Sequence, residues 1–123
     1  MSSSVLRLTS SSVLRLTSNL FKILGDVNIL NIVLKLRNGE KSFQEIQKEL
    51  DLTQSSASQL MKKLVDAKII SSRIEQRKKF YKIKNKNIFR ILTETKNFLT
   101  EIQKEMIEEL NDFNLYDINS RDL

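Results

Sequence analysis

The chain has 123 residues and a mass of 14.4 kDa, with 40% apolar residues, 29% charged residues and a net charge of +6. That fits one soluble globular domain with a modest core. Cysteine and histidine are both absent, which excludes a disulfide framework, a thiolate zinc site, an iron–sulfur cluster, a Ser-His-Asp triad and an HExxH zinc helix. Proline is also absent and glycine occurs only at positions 25 and 39, so a mostly helical chain without a glycine-rich phosphate loop is expected.

In chain order, Ser3–Ser10 and Ser11–Ser18 both read SSVLRLTS, a tandem repeat of eight residues. Two copies are too few for a solenoid. The second copy leads into NLFKILG, where Val13, Leu16, Leu20 and Leu24 recur at helical spacing, which predicts a helix over 12–24 with Gly25 as its stop. Residues 1–11, which hold the first copy, either extend that helix or are disordered. The start carries Arg7 and Arg15 and no acid before Asp26. It has no basic segment followed by an apolar one, so a secretory signal is not expected. An organellar transit peptide would share its composition, but this stretch runs straight into a helix that looks structural.

Asp26 is a good N-cap for a second helix whose core face is Ile29, Leu30, Val33, Leu34 and Leu36, ended by Asn38-Gly39. Ser42 stands three residues before Glu45, a capping box opening a short third helix with Phe43, Ile46 and Leu50 on one stripe. Asp51-Leu52 makes a tight connection, and Thr53 caps a fourth helix in which Ala57, Leu60, Met61, Leu64 and Val65 face inward. Ser55, Ser58, Gln59, Lys62 and Asp66 fall on its outer face. The period then shortens. Residues 69–74 (IISSRI) and 79–84 (KFYKIK) read as two strands around a basic EQRK tip. After Lys86 a helical stripe runs Ile88, Ile91, Leu92, Thr95, Phe98, Leu99, Ile102, Met106, Leu110 and Phe113. So long a stripe exceeds what a small body can cover, and a second chain is the natural partner for the remainder. The fold expected is mainly α with a small β-hairpin: a winged helix-turn-helix over 12–113 with long N- and C-terminal dimerisation helices, followed by a tail over 114–123.

Charge is distributed unevenly. Residues 41–90 carry thirteen basic and five acidic side chains, whereas residues 91–123 carry three basic and eight acidic ones. A basic block next to an acidic end suggests a polyanion partner for the middle of the chain. The fourth helix adds the chemistry: glutamine pairs with adenine, hydroxyls reach bases or phosphates, and lysine reaches phosphate or guanine. Three serines, Ser55, Ser56 and Ser58, are a poor choice for a helix that is merely solvated. The hairpin tip, with Arg73, Arg77, Lys78, Lys79 and Lys82, suits the DNA backbone or minor groove. The acidic run Glu101, Glu105, Glu108, Glu109 and Asp112 lacks EF-hand spacing and reads as a solvated helix face.

The segment from Ile23 to Ile83 resembles the ArsR/SmtB family of winged-helix repressors, most specifically in LGD before the second helix, in LTQSSASQLMKKL and in the wing ending FYKI. The resemblance implies a homodimer on operator DNA. It places Thr53, Gln54, Ser55, Ser56, Ser58, Gln59, Lys62 and Lys63 on the recognition helix and Arg77, Lys78 and Lys79 on the wing. Dimer contacts would come from the first and last helices, here Leu16, Leu20, Phe98, Leu99, Ile102, Met106 and Leu110.

There are departures. Val27 and Ile29 stand where the family often has proline and arginine, and Lys68 and Gln76 stand where glycine is usual. Metal-sensing members place a Cys-x-Cys pair on the third helix, where this chain has Ser42 and Gln44, or use Asp and His on the last helix. The expectation is therefore a cytoplasmic, nucleoid-associated regulator that represses transcription on double-stranded DNA. It needs no cofactor, metal or membrane, performs no catalysis, and has an effector the sequence does not name. The alternative is a winged helix used for protein contacts in a larger assembly. A protein interface would favour an apolar, aromatic outer face on the fourth helix rather than a polar, basic one.

Overall fold

The structure is a computed structural model that describes residues 9–122, with side chains described through Asp112. The first repeat copy thus lies almost wholly outside the described residues. The chain divides into two units, residues 1–85 and residues 86–123.

In the first unit, α1 runs Ser10–Leu24. It begins two residues earlier than the apolar spacing suggests, because Thr9 of the first repeat copy accepts a hydrogen bond from the Ser12 backbone N–H and caps it. Gly25 ends the helix as expected, in a right-handed conformation (φ −73°). Next, α2 runs Val27–Lys35, with Asp26 accepting from the backbone N–H groups of Asn28 and Ile29. A 3-10 turn over Leu36–Asn38 finishes it. That tightening rotates the last side chains: Leu36 is buried, and Leu34, expected in the core, is 48% exposed. Gly39 follows at φ 146°, a region open essentially to glycine alone.

Strand β1 (Lys41–Ser42) leads directly into α3 (Phe43–Glu49), and α4 spans Gln54–Asp66. The Ser42 capping box is complete. Its Oγ accepts from the Glu45 N–H at 3.1 Å, and its own N–H donates to Glu45 Oε1 at 3.1 Å. The turn between α3 and α4 is a Schellman closure: the Asp51 N–H donates to the Lys48 carbonyl and the Leu52 N–H to the Gln47 carbonyl, with Asp51 left-handed at φ 52°. The same closure ends α4. The Lys68 N–H donates to Val65 O and the Ile69 N–H to Leu64 O, and Lys68 takes φ 64°. Lysine thus occupies a conformation that glycine adopts without cost.

Strands β2 (Ile70–Glu75) and β3 (Lys78–Ile83) form the wing. Their turn is only Gln76-Arg77, both left-handed (φ 50° and 65°), as two-residue hairpins with the right-handed strand twist require. Glu75 and Lys78 are register partners in the ladder and not part of the loop. The expected hairpin is a three-stranded antiparallel sheet in the order β1-β3-β2, with Lys41 opposite Tyr81 and Ser42 opposite Phe80. The core of the unit is Ile29, Ile32, Val33 and Leu36 with Ile46, Ala57, Met61, Leu64 and Ile70, each at most 2% exposed. Burying one large aliphatic side chain of this kind contributes about 1.5–3 kcal/mol.

The second unit holds α5, Ile88–Asp122. It reaches well past Phe113, so residues 114–122, expected as a tail, are helical. The side chain of Phe113 lies outside the described residues. Phe98, Leu99, Met106, Ile107 and Leu110 are each more than half exposed, and the acidic side chains at 101, 105, 108, 109 and 112 are exposed as well.

Candidate nucleic-acid interface

The interface begins with two backbone devices. The Schellman turn after α3 sets where the chain reverses, and Thr53 Oγ1, accepting from the Ser56 N–H at 3.1 Å, sets where α4 starts. Ala57, Leu60, Met61 and Leu64 hold one face of α4 in the core. Gln54, Ser55, Ser56, Ser58, Gln59, Lys62 and Lys63 are therefore exposed, together with Thr53 before them. Lys62 Nζ lies 3.3 Å from Asp66 one turn on, both well exposed, a pair of the kind worth only about 0.3–0.5 kcal/mol and easily exchanged for another anion.

The wing's basic residues are sorted by strand alternation. The register pairs Ile70 with Ile83, Ser72 with Tyr81 and Ile74 with Lys79. Ile70 and Tyr81 are buried, so Lys79 shares the face turned toward the helices. Arg73, Lys78, Phe80 and Lys82 occupy the other face. Arg77 sits in the turn between the strands.

Arg73 is not a free basic group of the tip. Its Nη2 and Nε donate to the two oxygens of Glu40 at 2.7 and 2.9 Å, its Nη1 donates to Glu75, and its guanidinium lies 4.7 Å from the centre of the Phe80 ring. The Arg73 hydrogen bond holds the Glu40 carboxyl below its ordinary value of 4.5. Arg73 is thus the clasp at the base of the wing. Lys82 adds to the same field at Glu40, and Lys78 to the field at Glu45.

A notch of about 300 Å³ lies where α3, α4 and the wing converge, lined by Phe43, Gln44, Gln54, Ser58, Arg77, Lys79 and Tyr81. It brings together two of the helix residues and two of the wing residues that the sequence singles out as separate sets. Gln44 and Tyr81 join them, and spacing gave no signal for either. A larger open depression of about 610 Å³ lies elsewhere in the first unit, among Asn31, Leu34, Asn38, Lys41 and Glu49. The Lys41–Glu49 ion pair, 3.0 Å, sits at it.

A short helix, a tight turn, a second helix with its polar face outward and a three-stranded wing beside it together make a winged helix-turn-helix fold. Residues 26–72 match the sequence model of the bacterial regulatory protein arsR family. Among solved structures, Rv0081 of Mycobacterium tuberculosis is similar with a TM-score of 0.71 at 21% identity, over 77% of this chain and 96% of that one. The homodimeric winged helix-turn-helix domain of Mb0332 from Mycobacterium bovis, a possible ArsR-family regulator, gives 0.68 at 18% identity over 81% and 94%. Reduced HlyU from Vibrio cholerae gives 0.59 at 24% identity over 64% and 83%. At these identities the likeness is one of fold. No curated protein matches the chain in sequence. Over residues 26–72 the chain is thus similar to the arsR family of regulatory proteins, and its fold is that of winged helix-turn-helix domains. No helix among the described residues is long and apolar enough to cross a membrane.

Proposed function

We propose that the protein is a homodimeric, sequence-specific repressor that binds double-stranded DNA in the cytoplasm, on the nucleoid, without a metal effector. The observation that carries this is the shared notch. Gln54 and Ser58 of α4 and Arg77 and Lys79 of the wing line one surface, so base edges and backbone can be met together. In this reading α4 enters the major groove with Thr53, Gln54, Ser55, Ser56, Ser58, Gln59, Lys62 and Lys63, and Arg77, Lys78 and Lys79 track phosphates. The alternative of a protein-docking module is disfavoured because the outer face of α4 carries hydroxyls, amides and lysines and no apolar side chain. For the dimer, Leu16, Phe98, Leu99, Met106 and Leu110 are exposed, and Leu20 and Ile102 half-buried. Apolar faces of that extent on two long helices suit a twofold partner, and the Mycobacterium bovis domain is described as homodimeric. Against a soft-metal effector stand the missing cysteines and histidines. Ser42 Oγ, at one position of the family's thiolate pair, is engaged in the capping box.

Selection of bound sequences from random and host DNA tests the reading. A twofold-symmetric motif with half-sites about one helical turn apart is expected. Recovery of DNA without any enriched motif would overturn sequence specificity.

A further inference from the structure

Tyr81 occupies a core position, only 4% exposed, where a phenylalanine ring would fill the same space. Its hydroxyl has no hydrogen-bond partner among the described residues. Yet no side-chain oxygen or nitrogen described is both fully enclosed and unpartnered, so the hydroxyl must reach solvent. Tyr81 lines the notch. Buried tyrosines ordinarily find a partner for the hydroxyl, because an unmade hydrogen bond at a core position costs free energy.

The notch supplies the matching chemistry. Its walls hold two cations, Arg77 and Lys79, and three neutral donors, Gln44, Gln54 and Ser58, with no carboxylate among the lining residues. Lys79 and Tyr81 stand two apart on β3 and so point to one face of the wing. Cations beside hydroxyl and amide donors are what a singly charged phosphodiester oxygen accepts from.

We infer that this notch seats one phosphate of the DNA backbone and that Tyr81 donates its phenolic hydrogen to it. The inference rests on the DNA-binding reading above and adds to it a neutral contact that joins the recognition helix to the wing. Burial pushes the Tyr81 phenol above its ordinary value of 10.0, so it stays a donor at neutral pH. The seat fixes how deeply α4 enters its groove, since the phosphate is held from both elements. It carries no sequence information of its own.

The test uses the full chain with Tyr81→Phe, which keeps the ring and removes only the hydroxyl, and with Lys79→Ala. Affinities are read on several unrelated duplexes across a salt series. The phenylalanine variant should bind every duplex about tenfold more weakly with an unchanged salt slope, because a neutral donor displaces no counterion. Lys79→Ala should lower the slope. Tyr81→Phe binding all duplexes like wild type would overturn the seat and leave the DNA-binding reading standing. A wild-type chain that binds no duplex would overturn that reading, and the seat with it. A second readout does not depend on the variant's stability. With 3-fluorotyrosine in place of the two tyrosines, the fluorine signal that Tyr81→Phe removes should shift saturably on adding duplex and not on adding millimolar inorganic phosphate. No shift with duplex overturns the seat, and a shift with phosphate alone overturns its assignment to the DNA backbone.

Discussion

The division of the wing's lysines between two faces makes a sharp quantitative prediction. Lys79 lies on the face turned toward α4 and lines the notch. Lys78 lies on the opposite face, with Glu75 as its register partner and Glu45 within electrostatic reach. A lysine that neutralises one phosphate contributes about −0.9 to the slope of log affinity against log salt, so loss of Lys79 from both protomers should flatten the slope by about 1.8. Between about 50 and 200 mM salt, wild type should then lose roughly twelvefold more affinity than Lys79→Ala does. Lys78→Ala, already facing two carboxylates, should change the slope by less than half as much. Gln59→Ala serves as the contrast: it should lose discrimination between operator and scrambled duplex, about 1–3 kcal/mol for a good base pair contact, with the slope intact. Fluorescence anisotropy with two duplexes at four salt concentrations resolves all three variants. Equal slope changes for Lys78→Ala and Lys79→Ala would refute the two-faced arrangement, and no change in either would show that the wing does not touch phosphate at all.

Three further outcomes follow from local geometry. Lys68→Gly should stabilise the protein by about 1 kcal/mol, because φ 64° penalises a Cβ; a urea midpoint that falls instead would show that the lysine side chain matters more than its backbone. Backbone and side-chain hydrogen bonds from Ser42 hold the Glu45 carboxyl below 4.5, and Arg73 does the same for Glu40. Both contributions are therefore present above 4.5 and lost as pH falls through the lowered folded values. The thermal midpoint should drop in that acid window, and Glu45→Gln with Glu40→Gln should flatten the drop; parallel curves would exclude these two groups as its source. Leu99→Glu with Met106→Glu, two exposed positions seven residues apart on α5, should yield monomers in sedimentation with the thermal midpoint little changed, and an intact dimer would place the interface elsewhere.

Where the sequence was legible, one residue type dictated one local geometry. Asp26, Ser42 and Thr53 were readable as caps because a short oxygen side chain just before an apolar stripe has one best use, and all three accept the expected backbone hydrogen bonds. The helix order and the exposed polar face of α4 followed from the period of Ala57, Leu60, Met61 and Leu64. Strand β1 was not legible, since two residues have no period and its pairing with β3 is a long-range fact. Nor were the left-handed closures at Asp51 and Lys68: glycine is the signal for them, and here tertiary packing holds Asp and Lys in that conformation. The face of each wing residue could have been found by counting alternately from Ile70 and Ile83. That count separates Lys79 from Lys78, which a tally of positive charge cannot.

Arg73 shows why a basic cluster in sequence is not a basic surface in space. It adds one positive charge to the wing's total, yet two carboxylates hold it, one of them 33 residues away in the chain. The two bonds to Glu40 tie β2 to the loop before β1, on the far side of β3 in the sheet. Their work is therefore geometric: they resist splaying of the wing away from the helices. In the proposed reading Arg77 and Lys79, which line the notch, remain to meet an anion, and the clasp helps hold the wing that carries them. If the proposed reading holds, a wing fixed before the duplex arrives favours binding, because ordering it on binding would subtract from affinity. In that reading the neutralised arginine shapes the interface without touching DNA.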